Sequence, residues 1–266
     1  MEKNTAKNDV FELRSKIADR LTVKEAKILF KELEAPDCPY NTLSIRTVMS
    51  PEISDLLYKA MSKNKSITAI NGEHMFGHES IHLKALKKNP DLPLKSLVLS
   101  FPEPPKKLAS YFQQKRQLTR LSLTFSACTP DATQTTTNLD ETIEAIAANI
   151  TTLEHFSIRA NENISPGSLE GLLRNNQGLR SVSINIHAFN CHHRMIVKRL
   201  GSFGAILAKL PALTSLKFLV DSFDTVEVEA FLESLKQSKT IKELWLNQYW
   251  IGLGSIPLIA DILSIQ

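Results

Sequence analysis

Leu94-Lys-Ser-Leu97-Val-Leu99 and Leu118-Thr-Arg-Leu121-Ser-Leu123 share one spacing, L-x-x-L-x-L. The same spacing returns as Leu153/Phe156/Ile158, Leu179/Val182/Ile184, Leu213/Leu216/Phe218 and Ile241/Leu244/Leu246. Tyr40/Leu43/Ile45 and Ile67/Ile70/Gly72 are degenerate copies. First anchors recur at intervals of 24 to 35 residues, with a mean close to 29. A recurrence in this range marks a solenoid built from one repeated supersecondary unit. Within each unit, Leu-x-Leu has the period of two that sends alternate side chains to opposite faces of a strand. The leucines go inward and the residues between them line an open surface. One such strand cannot bury its apolar side alone, whereas stacked neighbours share a continuous core under a parallel sheet.

Helix signals follow nearly every strand motif. Ser50-Pro51 and Ser165-Pro166 place a hydroxyl at the cap and proline at the first helical position. Asn138-Leu-Asp-Glu141 and Asp224-Thr-Val-Glu227 put an acid three residues beyond a capping side chain. Apolar stripes such as Ile143/Ile146/Ala147/Ile150 and Val228/Phe231/Leu232/Leu235 suit packing against the sheet. The spacing therefore predicts an α/β solenoid of about eight repeats, each with a helix of about three turns. Before the first repeat, Val10, Leu13, Ile17 and Leu21 fall at helical spacing, as do Ala26, Leu29, Phe30 and Leu33, with the capping box Thr22-Val-Lys-Glu25 between them. Residues 1–39 are thus expected to form a two-helix N-terminal cap, and residues 40–266 one continuous repeat domain.

Strand plus full helix in a unit of this length resembles the ribonuclease-inhibitor-like class of leucine-rich repeat proteins, over about residues 40–266. That resemblance implies a horseshoe with a concave parallel sheet and convex helices. It also implies a non-catalytic protein-binding role in which blocking an enzyme is one outcome. One position departs from the family, which often carries Asn or Cys three residues past the last motif leucine. Only Asn161 fits, and Pro102, Ser126, His187, Asp221 and Tyr249 stand elsewhere. The degenerate repeats and the Lys/Asn/Thr-rich texture also resemble leucine-rich-repeat effectors of Legionella-type intracellular bacteria.

Composition bounds the function. Lys and Arg number 32 against 28 acids, a net charge of +4 that is too even to imply nucleic acid without clustering on one face. No run of about 18 apolar residues suggests a membrane span. The charged start, Met1 to Asp9, lacks the apolar core of a signal peptide. Cys38, Cys128 and Cys191 are unevenly spaced, so free thiols in a reducing, cytoplasmic compartment are expected. For an effector, that compartment is the host cytosol. The chain is expected to be a monomer when unbound.

Two histidine groupings invite a metal reading, and neither sustains it. Gly77 interrupts His74, His78 and His82, and the adjacent ligands Cys191, His192 and His193 near His187 cannot easily complete a tetrahedron. Cys191 beside His192 lacks the orienting group that thiol catalysis needs. No phosphate-binding glycine loop or nucleophile elbow is present. No catalytic residue, metal or cofactor is therefore expected. The alternative is a GTPase-activating or other catalytic regulator, with Arg194 as the candidate finger. Two over-long repeats carry their extra residues at 126–138 and 187–194, as rim insertions beside the binding side.

The outward strand positions point to a partner surface. Arg120, His155, Arg159, Lys217, Glu243 and Asn247 supply polar and charged contacts, and Trp245 is an outward indole with Tyr249 and Trp250 just beyond. Large aromatics and arginine dominate interface energetics because they bury much area at low entropic cost. The expected partner is an enzyme or signalling protein, host or bacterial.

Overall fold

The computed structural model describes residues 10–14, 21–35, 37–46, 49–72, 81–101, 105, 108–114, 117–126, 139–161, 164–186, 200–220, 225–247 and 255–264. The chain divides into two compact units, Met1–Pro105 and Lys106–Gln266. In the first, strands β1 (Val10–Arg14), β2 (Thr42–Arg46), β3 (Ala69–Gly72) and β4 (Ser96–Phe101) alternate with helices α1 (Val23–Glu34), α2 (Pro51–Lys63) and α3 (Ile81–Lys88). In the second, α4 (Leu108–Tyr111), β5 (Arg120–Phe125), α5 (Leu139–Asn149), β6 (His155–Ala160), α6 (Pro166–Asn175) and β7 (Ser181–Ile186) come first. Helix α7 (Leu200–Ala208), β8 (Ser215–Val220), α8 (Thr225–Leu235), β9 (Glu243–Leu246) and α9 (Ser255–Ser264) complete it.

Strands pair in parallel and in chain order within each unit, and the register aligns the motif residues. Leu43 faces Ile70, which faces Leu97. In the second unit Leu121, Phe156, Val182, Leu216 and Leu244 form one row, and Leu123, Ile158, Ile184, Phe218 and Leu246 the next. These side chains are buried from β5 through β8. Phe218 shows what they meet, since its ring lies 5.6 Å from Phe203 on α7 and 5.0 Å from Phe231 on α8. The inward rows therefore face the helices, and in β5–β9 the residues between them point to the other side of the sheet. Repeated parallel strand–helix units with this register are the leucine-rich-repeat α/β solenoid fold.

The backbone locks the register where each strand begins. One carbonyl accepts two amides from the following repeat: Thr119 O from Glu154 and His155, Glu154 O from Arg180 and Ser181, Arg180 O from Thr214 and Ser215. Helix starts behave as their side chains dictate. Thr22 Oγ1 accepts from the Glu25 amide while Glu25 Oε2 accepts from the Thr22 amide at 2.9 Å, completing the capping box. Ser50 and Ser165 cap α2 and α6 ahead of their prolines. Two helices pass so closely that a Cβ on Gly204 of α7 would lie 2.7 Å from the Phe231 carbonyl of α8.

Two expectations are corrected. Val10–Arg14 is a strand, paired in parallel with β2 so that Phe11 faces Leu43, and residues 10–14 are not the first of two helices. Burying Phe11 beside Phe30 and Tyr40 outweighs the helical spacing. Nor does every repeat carry three helical turns. Helix α4 has only four residues, in the shortest repeat, where 24 residues separate Leu94 from Leu118.

Buried asparagines supply the ladder missing after the strands, and they do so from before them. Asn176, wholly buried, donates to the carbonyls of Ile150 and Leu172, and its own oxygen accepts from the Leu153 amide. Asn64 donates to Leu33 O and accepts from the Ser66 and Ile67 amides. Asn89 donates to Met61 O and Asn64 O. Each closes carbonyls around a helix C-terminus, where the last turn has no intrahelical donors. Asn161, at the family position, donates to Ser126 O. Replacing Asn176 with Ala removes the partner of the Leu153 amide and of the Ile150 and Leu172 carbonyls, at roughly 1–3 kcal/mol for each group left unpaired. Urea unfolding should show a loss of about 2–4 kcal/mol. A loss below about 0.5 kcal/mol would mean that other groups satisfy these atoms.

Candidate partner-binding face

Strand alternation and the observed register arrange the outward residues of β5–β9 in three rows. Arg120, His155, Ser181, Ser215 and Glu243 form the first, and Ser122, Ser157, Ser183, Lys217 and Trp245 the second. Thr124, Arg159, Asn185 and Leu219 form the third. Neighbouring strands lie about 4.8 Å apart and successive rows roughly 6.7 Å apart. The serines give the middle of the face a low floor, and larger groups stand around it. Arg120, Arg159 and Glu243 are exposed, while His155, Lys217 and Asn247 are half-buried.

Trp245 is 62% exposed, the largest side chain among the exposed hydrophobic residues described. Lys217 Nζ lies 5.8 Å from its ring centroid, a cation–π contact set by the Lys217–Trp245 register pairing. That contact is worth about 0.5–1 kcal/mol at an exposed site, and it holds both side chains toward solvent. Behind the indole, Leu244 and Leu246 are only half-buried, unlike their counterparts in β5–β8. Asn185 Oδ1 is buried without a hydrogen-bond partner beside Arg159. Glu154 and Arg180 form an ion pair of 3.5 Å at the base of the same strands.

His155 sits between Arg120 and Ser181 in register. Its pKa is held below the usual histidine value, first by burial and then by the Arg120 and Arg180 charges, with Glu154 pulling the other way. The imidazole is therefore neutral at neutral pH. Because the folded-state pKa is the lower one, the unfolded chain takes the proton first, and stability contributed by neutral His155 is lost as pH falls below about 6.5. Removing one positive neighbour should move the titration upward. NMR titration should place the His155 midpoint below about 6.5 and higher in Arg120→Ala; a midpoint unmoved by that substitution would show that the guanidinium does not reach the ring. Among the described residues, no hydrogen bond links His155 to a serine hydroxyl.

The sequence singled out Arg120, His155, Arg159, Lys217, Glu243, Trp245 and Asn247, and the structure places the six strand residues on one face of the second unit. Asn247 follows β9 directly. Tyr249 and Trp250 lie outside the described residues, as do both rim insertions beyond Ser126, His74, His78, Cys128, Cys191, His192, His193 and Arg194. His82 lies in α3, without a described side chain. Among the described residues, no group of three or more metal-ligating side chains occurs, and no helix is long and apolar enough to cross a membrane. Cys38 is a free, buried thiol. Asn185 was not singled out, because a buried unpaired oxygen has no sequence signature.

No protein-family model matches the sequence, and no curated protein matches it either. Among solved structures, the chain is similar to the leucine-rich repeat-containing protein LegL7 from Legionella pneumophila. The two are 12% identical with a TM-score of 0.44, over 96% of this chain and 90% of that one. Likeness at that level adds nothing to what the strand register already establishes.

Proposed function

We propose that this chain is a non-catalytic protein-binding repeat module that engages an enzyme or signalling protein through the outer face of β5–β9 and the adjoining rim. The exposed indole of Trp245, held by Lys217 among polar residues, carries this reading. A large aromatic left mostly in water contributes little to the stability of the isolated protein, and it is the residue type that anchors interfaces. Tyr249 and Trp250 contribute to the same partner contacts, residues 1–39 serve as the capping end of the array, and the unbound protein is a monomer. Its role is that of a bacterial effector or effector regulator in the host cytosol, occluding its partner's active site. The Lys/Asn/Thr-rich texture and degenerate repeats support that assignment.

A photo-crosslinking amino acid at Ser183, in the middle of the face, should capture a partner that the same group at Glu141 on α5 does not. The captured protein, made recombinantly, should lose activity at stoichiometric amounts of the module if it is an enzyme. Capture from Glu141 alone would move the binding surface to the helices.

A further inference from the structure

The charges on the face of β5–β9 select a partner chemistry. Arg120, Arg159 and Lys217 point outward, and Glu243 is the one acid among the outward strand residues. Three other cations of this unit have acidic partners: Arg174 pairs with Glu170, Arg180 with Glu154, and Lys236 with both Glu233 and Asp261. Among the described residues, no acidic side chain forms an ion pair with Arg120, Arg159 or Lys217. Lys217 instead rests against the Trp245 ring, which neutralises none of its charge. The face therefore carries an uncompensated positive field with an aromatic surface at one end.

We propose, building on the partner-binding assignment above, that the occupant is an acidic, extended peptide segment bearing a bulky apolar side chain. Its carboxylates lie at Arg159 and Lys217, and its apolar side chain rests on Trp245. The register sets the spacing. Arg159 and Lys217 are separated by two strands and one row, about 12 Å between their backbone positions. Same-face residues four apart in an extended peptide are about 13 Å apart. One strand further on, Trp245 meets the next residues of such a segment. On the intervening strand Ser183 and Asn185 lie between the cations; neither carries a charge, and Ser183 presents only a small side chain to the segment. Rows of like charge on a partner suppress wrong partners and steer the right one. Nucleic acid would answer the charge equally, but the face offers one indole where successive bases need a ladder of rings.

A fluorescein-labelled peptide of four glutamate–serine repeats ending in phenylalanine tests this on the full chain. Its anisotropy should rise and saturate with protein, while a lysine–serine counterpart should not bind. Arg159→Ala and Lys217→Ala should each weaken binding by about threefold. The double reversal Arg159→Glu/Lys217→Glu should switch preference to the lysine peptide, with circular dichroism unchanged. Equal binding of both peptides by the wild type overturns the proposal. So does tighter binding of an oligothymidylate of equal charge. A protein that captures its partner from Ser183 but ignores the glutamate peptide overturns the acidic assignment alone. Loss of the Ser183 crosslink with peptide binding intact instead overturns the partner assignment, and leaves the acid-binding face.

Discussion

Leu121→Asp should abolish the folded second unit, whereas Ser122→Asp, one residue on, should leave it nearly as stable as before. Leu121 is wholly buried, in the row with Phe156 and Val182. Replacing it removes roughly 1.5–3 kcal/mol of side-chain burial and sets a carboxylate in an apolar row. Desolvating that carboxylate costs far more than its neighbours return, and the group can escape only by protonation or by unfolding. Against a total stability of about 5–15 kcal/mol, the sum is decisive. Ser122 faces the other way, half-exposed among hydroxyls, where a charge stays hydrated. Its change should stay within about 0.5 kcal/mol. Hydrogen exchange over β5–β8 reads the contrast directly, with protection lost in one variant and kept in the other. Similar behaviour of the two would mean that the strand faces are assigned the wrong way round.

That contrast rests on the part of the fold most legible in the sequence. A strand with one buried side must alternate, so L-x-x-L-x-L gave both the element and its orientation for β4 to β9. Caps were equally readable, because Thr22-Val-Lys-Glu25 and the two Ser-Pro pairs satisfy amides within their own first turn. Contacts between distant residues were harder. Strand β1 hid because Phe11 and Leu13 offer only two alternating positions, while Val10 to Leu21 mimicked a helix. Pairing with β2 decides the matter, and that pairing joins residues 32 apart. The asparagine ladder was sought after the strands, yet Asn64 and Asn176 act from before them, on carbonyls of the preceding repeat.

The candidate face divides along the same line. Outwardness of Arg159, Lys217 and Trp245 followed from alternation within their own strands. The Lys217–Trp245 contact and the Arg120–His155 coupling needed the register between strands, which the length of each intervening helix and loop sets. Repeats of 24 to 35 residues vary too much for that register to be counted off a sequence.

Trp245→Ala should weaken partner binding by about 2 kcal/mol or more, roughly thirtyfold, with the melting temperature almost unchanged. The two effects separate because of where the indole sits. At 62% exposure it buries little in the free protein, so its removal opens no cavity and costs the fold mainly the Lys217 contact. That contact is worth about 0.5–1 kcal/mol. In the complex, the same ring is desolvated over most of its area, and a large aromatic desolvated in this way is the kind of side chain that dominates interface energy. Arg159→Ala should act differently, lowering the association rate more than it raises the dissociation rate, and less so at high salt. Lys217 belongs to both classes, as a charge and as the support of the indole. Lys217→Ala and Trp245→Ala should therefore combine less than additively in a double-mutant cycle, since each removes part of what the other does. Surface plasmon resonance with the captured partner gives the rates, and thermal unfolding gives the stability. A large fall in melting temperature for Trp245→Ala, with unaltered affinity of the folded fraction, would show that the indole supports the fold and that the partner docks elsewhere.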